Sequence, residues 1–380
     1  EAHRFRNQKT DSFQKLHEIC YNKKVILVTA TPQNNYSSDI ANQIYLFQPK
    51  NNSTINPNNK NLEAFFNKLA AKLKNFEKGS AQYAELLKAN SAIIRDQVLR
   101  NVMIRRTRNE IMEYYKEDLE QQGLTFPELG NPEKIVYTYD DYIEAVFNHT
   151  IESIQKLTYA RYKPLTFLED VPKEVASLLV SQINMSGFMK SILVKRLESS
   201  FEAFKKTLNR FIKSYDKFLA MCLQGEVYIS KKVDVYDLLD SGDDEKLMGL
   251  VEEDIVQYFP ITAFKKEFIP SMKHDVLLLK ELQNEWDEVI EDPKKDQFLL
   301  ELKTNLRFKD KKIIIFTESR ETAEYVGEYL ELYYPEEILI YSSQGSRSVK
   351  QEIEANYNPN YAYEKKDNIK ILVTTDVLAE

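Results

Sequence analysis

The chain has 380 residues, 43% of them hydrophobic and 29% charged, with a formal net charge of −7. That length allows two or three domains, the balance is that of a globular chain, and the acidic total excludes a uniformly basic nucleic-acid coat while leaving room for a local basic channel. No apolar run approaches the ~20 residues that span a bilayer, the start shows no signal segment, and two cysteines (Cys20, Cys222) with four scattered histidines give neither a disulfide framework nor a metal-ligand spacing, so a reducing, cytoplasmic setting without membrane or bound metal is expected.

In chain order, Asp11 to Tyr21 has helical spacing of Phe13, Leu16 and Ile19 and leads into Lys24-Val-Ile-Leu-Val-Thr-Ala-Thr-Pro32. Val25 to Val28 is an uninterrupted aliphatic run, which predicts a strand buried on both faces of a parallel sheet. Thr29 and Thr31 would then stand at its carboxyl edge, where open α/β sheets keep their ligands. Asp39 caps a short helix through Ile40 and Ile44, the Asn-rich stretch Lys50 to Asn61 reads as an exposed connection, and a helical protrusion follows at about residues 60–101, broken at Gly79. Val102-Met-Ile-Arg-Arg-Thr-Arg108 places Arg105 and Arg106, always charged and bidentate, beside an apolar element; a solvated helix end near Glu110 is the plainer reading.

Gly130 and Pro132 mark a linker, Lys134 to Tyr139 alternates like a strand, and Asp140 onward turns helical. Residues 164–273 lack strand-helix alternation and read as an inserted helical subdomain. Its helices, Val175 to Leu197 and Phe201 to Leu223, are basic opposite their apolar stripes, which suits faces that line a phosphate backbone or, equally, a solvated surface. Asp234 to Asp254 is acidic and reads as solvent-facing, with a tail for a protein partner as the alternative. Trp286, on a helical pattern, is expected in the core. Lys312 to Phe316, Ile338 to Tyr341 and Ile369 to Val373 read as strands separated by helices, the first ending in Thr317-Glu-Ser-Arg320 and the last in Thr374-Thr-Asp376. That order predicts a parallel sheet with right-handed crossovers.

Several of these segments carry a family resemblance. Glu1-Ala-His3 resembles the back half of an Asp-Glu-Ala-His box, and Thr29-Ala-Thr31 resembles the element that follows that box, about 25 residues on, the length of a strand-helix-strand step. Strand-Thr-Glu-Ser-Arg and Ile-Leu-Val-Thr-Thr-Asp-Val-Leu-Ala-Glu are similar to motifs four and five of helicase superfamily two. The apolar-Arg-Arg-Thr element after a helical protrusion and the segment Lys195-Arg-Leu-Glu-Ser-Ser resemble those of bacterial Swi/Snf-type ATPases.

This resemblance implies an α/β protein of two incomplete RecA-like parallel-sheet lobes, residues 1–130 and 131–380, the second holding the large helical insertion at about 164–273. It implies nucleic-acid-dependent ATP hydrolysis with Mg2+ in a longer parent, movement along double-stranded nucleic acid, DNA foremost, and a protein partner for the insertion as a further option. Glu1 would activate the attacking water, and His3, Thr29 and Thr31 would link the nucleotide site to the rest of the motor, with Arg105, Arg106 and Asp376 also in coupling roles. Thr317, Ser319, Arg320, Thr374 and Thr375 would hold backbone phosphates, and Lys205, Lys206 and Arg210 would extend that surface. Two elements of the pattern are missing: no Gly-x-x-x-x-Gly-Lys-Ser/Thr occurs, and the sequence stops before the element that supplies an arginine finger. The 380 residues alone are therefore expected to be inactive and to hold no nucleotide. A catalytically inactive, helicase-like scaffold whose insertion binds a protein is the alternative.

Overall fold

A computed structural model describes residues 2–29, 37–77, 80–229, 257–342 and 346–378. Glu1, Thr31 and the acidic segment from Asp234 to Asp254 lie outside the described residues. The chain divides into two compact units, Glu1–Glu128 and Leu129–Glu380.

The first unit is helical among its described residues: α1 (Asp11–Cys20), α2 (Ser37–Tyr45), α3 (Leu62–Leu73), α4 (Ala81–Gln97), α5 (Arg108–Tyr114) and α6 (Lys116–Gln122). Capping sets their starts, because Thr10, Asn61 and Ser80 each accept a hydrogen bond from the amide three residues on and so satisfy an otherwise orphaned N–H. Phe13, Ile40, Ile44, Leu62, Phe66, Leu69, Ile94 and Val98 form the core. The Asn-rich connection is anchored rather than loose: Ser53 is buried, its amide donates to the Lys60 carbonyl at 2.8 Å, and Gln48 Oε1 accepts from the Ser53 hydroxyl at 3.1 Å.

The strand expected at Val25 to Val28 does not form among the described residues. The segment has no regular secondary structure, and Ile26 is 90% exposed and Val28 73% exposed. An aliphatic run becomes a doubly buried strand only when neighbouring strands and helices cover it. Lys134 to Tyr139 in the second unit likewise forms no strand.

The second unit begins with α7 (Asp141–Lys156), continues through short 3-10 turns to α8 (Ala176–Ser199) and α9 (Phe201–Leu223), and adds an antiparallel pair, β1 (Glu226–Ile229) with β2 (Gln257–Pro260). Next come α10 (Phe268–Glu288) and α11 (Pro293–Thr304), then β3 (Ile313–Phe316), α12 (Arg320–Glu331), β4 (Ile338–Tyr341), α13 (Arg347–Tyr357) and β5 (Ile371–Thr374). The last three strands form the parallel sheet that the sequence predicts, in the order β3-β5-β4. β5 lies in the middle with all four residues buried, whereas β3 is an edge strand that leaves Ile314 and Phe316 exposed.

One apolar cluster joins α7 through α10, centred on Trp286, whose ring meets Phe201 and Phe204 edge-on and whose indole N–H donates to Thr150 Oγ1 at 2.8 Å. A single buried carboxylate pins this helical layer. Asp275 accepts from the Thr158 amide (2.7 Å) and hydroxyl (2.8 Å), the Ala160 amide (3.1 Å) and the Tyr215 hydroxyl (3.0 Å), so the charge is fully met by donors. On the sheet side, Gly327 lets α12 lie against β4, since a Cβ there would overlap the Ile340 side chain. No helix of the described residues is long and apolar enough to cross a membrane.

Candidate nucleic-acid interface at the carboxyl edge of the sheet

β3 and β5 are parallel neighbours in the register Phe316 to Thr374, so the residues that leave them, Thr317 and Thr375, emerge side by side. The Thr317 amide closes this edge by donating to the Thr374 carbonyl at 2.9 Å. Ser319 then starts α12 as its N-cap, accepting from the Thr322 amide at 3.1 Å. The two strand ends thus bring Thr317, Ser319, Arg320, Thr374, Thr375 and Asp376 to one edge.

Their chemistry differs in availability. Ser319, Thr374 and Thr375 are buried. Ser319 is also bonded to Thr322 Oγ1 at 2.9 Å, and Thr374 Oγ1 donates to the Thr375 carbonyl at 3.2 Å. Thr317 is half-buried and donates to the Ser319 carbonyl at 2.9 Å, Arg320 Nε lies 2.7 Å from Glu324 Oε1, and Asp376 is exposed. Thr317, Arg320 and Asp376 are therefore the groups of this set within reach of an incoming ligand.

Beside them opens a cavity of about 430 Å³, lined by Thr317, Ser200, Lys294, Lys295, Tyr325 and Tyr137 among others. Its floor is a hydroxyl cluster in which Thr322 Oγ1 lies 2.7 Å from Ser199 Oγ and 2.9 Å from Ser200 Oγ, which joins the caps of α9 and α12. Lys294 Nζ is held by the Glu198 and Ser199 carbonyls at 2.7 and 3.0 Å, at the C-terminal end of α8, where a cation is favoured by the helix dipole. Burial, aided by the Asp292 carboxylate that accepts from its hydroxyl at 3.2 Å, pushes the Tyr325 phenol well up.

The basic residues of α9 take partners within the chain. Lys205 Nζ donates to the Val289 carbonyl at 2.7 Å, Lys206 pairs with Glu202 at 3.4 Å, and Arg210 donates to Thr207 Oγ1 at 3.1 Å and to Glu321 Oε1. Glu321, the residue after Arg320, also lies 3.4 Å from Arg196 of α8. Sequence reasoning missed this clamp and the hydroxyl cluster, although Arg196 and the two serines stand in the Lys195-Arg-Leu-Glu-Ser-Ser segment; nothing local says that these residues meet α12.

In the first unit, His3 is buried in a 3-10 turn and its Nδ1 lies 3.0 Å from Thr29 Oγ1. Arg105 and Arg106 are exposed and precede α5, whose Thr107–Glu110 capping box has the Thr107 amide donating to Glu110 at 2.7 Å. Those Thr107 hydrogen bonds, assisted by the two arginines, hold the Glu110 carboxyl below its ordinary range. Among the described residues no group of three or more His, Cys, Asp or Glu is placed to hold a metal ion.

No family model matches the sequence, and no curated protein matches it. Among solved structures, the crystal structure of the Pyrococcus furiosus Hef helicase domain is similar at a TM-score of 0.31 and 16% identity, over 76% of this chain and 58% of that one. The likeness is distant, and the chain spans less than two thirds of that domain.

Proposed function

We propose that this chain is part of an ATP-dependent nucleic-acid translocase of the Swi/Snf type, within helicase superfamily two. The observation that carries the reading is the meeting of Thr317, Ser319 and Arg320 after β3 with Thr374 at the end of β5 and Thr375 and Asp376 after it on one carboxyl edge. The Thr317 hydroxyl, the helix-start amides of α12 and the Arg320 guanidinium suit the sugar-phosphate backbone rather than base edges, as a protein that tracks any sequence requires. In this reading residues 1–130 and 131–380 belong to two motor lobes that close and open around ATP and Mg2+, Glu1 activates the attacking water, and His3, Thr29 and Thr31 with Arg105, Arg106 and Asp376 couple hydrolysis to movement along duplex DNA. The phosphate loop comes from elsewhere in the gene product.

The test is ATP hydrolysis by the full gene product with and without duplex DNA. Replacing Arg320 with Ala is expected to lower the DNA-stimulated rate about tenfold, the worth of one hydrogen bond to a charged group. Full stimulation in that variant removes Arg320 from the interface, and a complete absence of turnover by the unaltered product refutes the motor. A second reading, an inactive scaffold, is favoured by one observation: Val180 and Ile183 on α8 are exposed. It expects no turnover and retained binding of a protein partner through α8.

A further inference from the structure

The amino edge of the same sheet, about 13 Å away along four-residue strands, carries a surface of different chemistry. There the loop entering β3 meets the loop entering β5. Lys312 and Lys370 share Asp367 at 3.0 and 2.8 Å, and the Lys312 ammonium also donates to the Asn356 carbonyl and lies 5.1 Å from the Tyr357 ring centre. Across residues 307–312 and 361–370, seven basic residues stand against three acidic ones, in a chain of net charge −7.

Not all of that charge is available. Arg307 is held by Glu133, Lys366 by Glu352 at 2.6 Å, and Lys365 donates to the Pro359 carbonyl at 2.5 Å. Lys309 and Lys311 are exposed and have no ion-pair partner among the described residues, with Asp310 between them in sequence. In the loop entering β5 Tyr363 is 79% exposed, with its ring edge-on to Tyr361 at 5.6 Å. A ring so little covered contributes almost nothing to the core, yet it offers a face on which a flat group can stack.

Unpaired ammoniums and an open aromatic face, carried here on two loops tied together by the Lys312–Asp367 pair, are the two elements by which proteins hold single-stranded nucleic acid: cations track the phosphates, and rings take successive bases. A duplex, whose base faces are already stacked, can use only the cations. We propose that this amino-edge surface binds single-stranded nucleic acid, with Lys309 and Lys311 on the backbone and Tyr363 stacked on a base. The site is separate from the carboxyl edge, and its binding requires neither ATP nor the motor reading.

The experiment is fluorescence anisotropy of the 380-residue chain with a labelled oligothymidylate of about 20 nucleotides, at several salt concentrations and without nucleotide. Tyr363→Ala is expected to weaken binding about tenfold, and Tyr363→Phe, which keeps the ring, to restore it. Lys309→Ala with Lys311→Ala is expected to lower the salt slope by about 1.4, at ~0.7 per phosphate contact on a single strand. A duplex of the same length is expected to be insensitive to Tyr363→Ala. Circular dichroism and a thermal melt show that each variant is folded. Absence of oligonucleotide binding, equal affinity of the Tyr363→Ala variant, or an unchanged slope in the lysine variant overturns the proposal. ATP turnover by the full gene product is a separate readout, so loss of the motor reading leaves this one standing, and the reverse.

Discussion

Glu321 and Arg196 face each other at 3.4 Å with side chains only 4% and 5% exposed, an ion pair withdrawn from water between the first turn of α12 and the last turn of α8. Arg210 of α9 reaches the other carboxylate oxygen, so one acid beside the proposed phosphate-binding edge holds both long helices of the insertion. Burial alone would push the Glu321 carboxyl up, but the Arg196 and Arg210 guanidiniums outweigh it and hold it below the ordinary range. Such a triad is a weak source of net stability and a strong determinant of which way two segments dock, because its members cannot be buried apart.

Glu321→Gln is therefore expected to destabilise the fold by about 3 kcal/mol at neutral pH, since it leaves two arginines facing a neutral amide. A carboxyl whose folded pKa is depressed contributes stability that is complete above its unfolded value of about 4.3 and is lost as pH falls through the folded value. Urea melts from pH 7 down to pH 3 should show the wild type losing stability below that point while the variant, already without the charge, changes less. Equal pH profiles would assign the clamp no role.

Gly327→Ala sets two effects against each other. A helix-interior alanine gains about 1 kcal/mol of propensity over glycine, whereas forcing a methyl into the Ile340 side chain costs about 1 to 3 kcal/mol. A net loss of about 1 kcal/mol is expected. In an Ile340→Ala background, which lacks both the Cδ1 and the Cγ1 that the new methyl would strike, Gly327→Ala should no longer destabilise. A stabilised single variant would show that α12 does not approach β4 so closely.

Asp275→Asn keeps the shape but turns one of the two accepting oxygens into a donor, which then faces either the Thr158 amide or the Ala160 amide, so about 3 kcal/mol of stability should be lost. Tyr215→Phe removes one bond to the same carboxylate and should cost about 1 kcal/mol. If the two variants melt alike, Asp275 is not the pin of the helical layer.

For the basic face of α9, the salt slope of duplex binding decides. Lys205 and Lys206 already have partners, so Lys205→Ala with Lys206→Ala is expected to leave the slope unchanged. A fall of about 0.9 per residue would instead place them on phosphates.

Periodicity, capping residues and aliphatic runs were enough to read the long helices α1, α7, α8 and α9, the three parallel strands of the second unit and the burial of Trp286, because those features depend on neighbours within a few residues. They were not enough for the short helices at 108–122 or the β1–β2 pair within the segment read as helical. The same local reading makes a strand of Val25 to Val28, whose composition suits a covered site but whose Ile26 and Val28 stand in solvent; cover comes from elements distant in sequence. Thr317, Ser319, Arg320, Thr374 and Thr375 were likewise legible as a set, since they end two strands. Which of their hydroxyls are spent inside the fold was not. Arg210 looked like a phosphate ligand from its helical face, and only the tertiary structure places Glu321, 111 residues away, against it. A charge pattern shows where a side chain can point; the partner that claims it is decided by the packing of segments that the sequence does not list as neighbours.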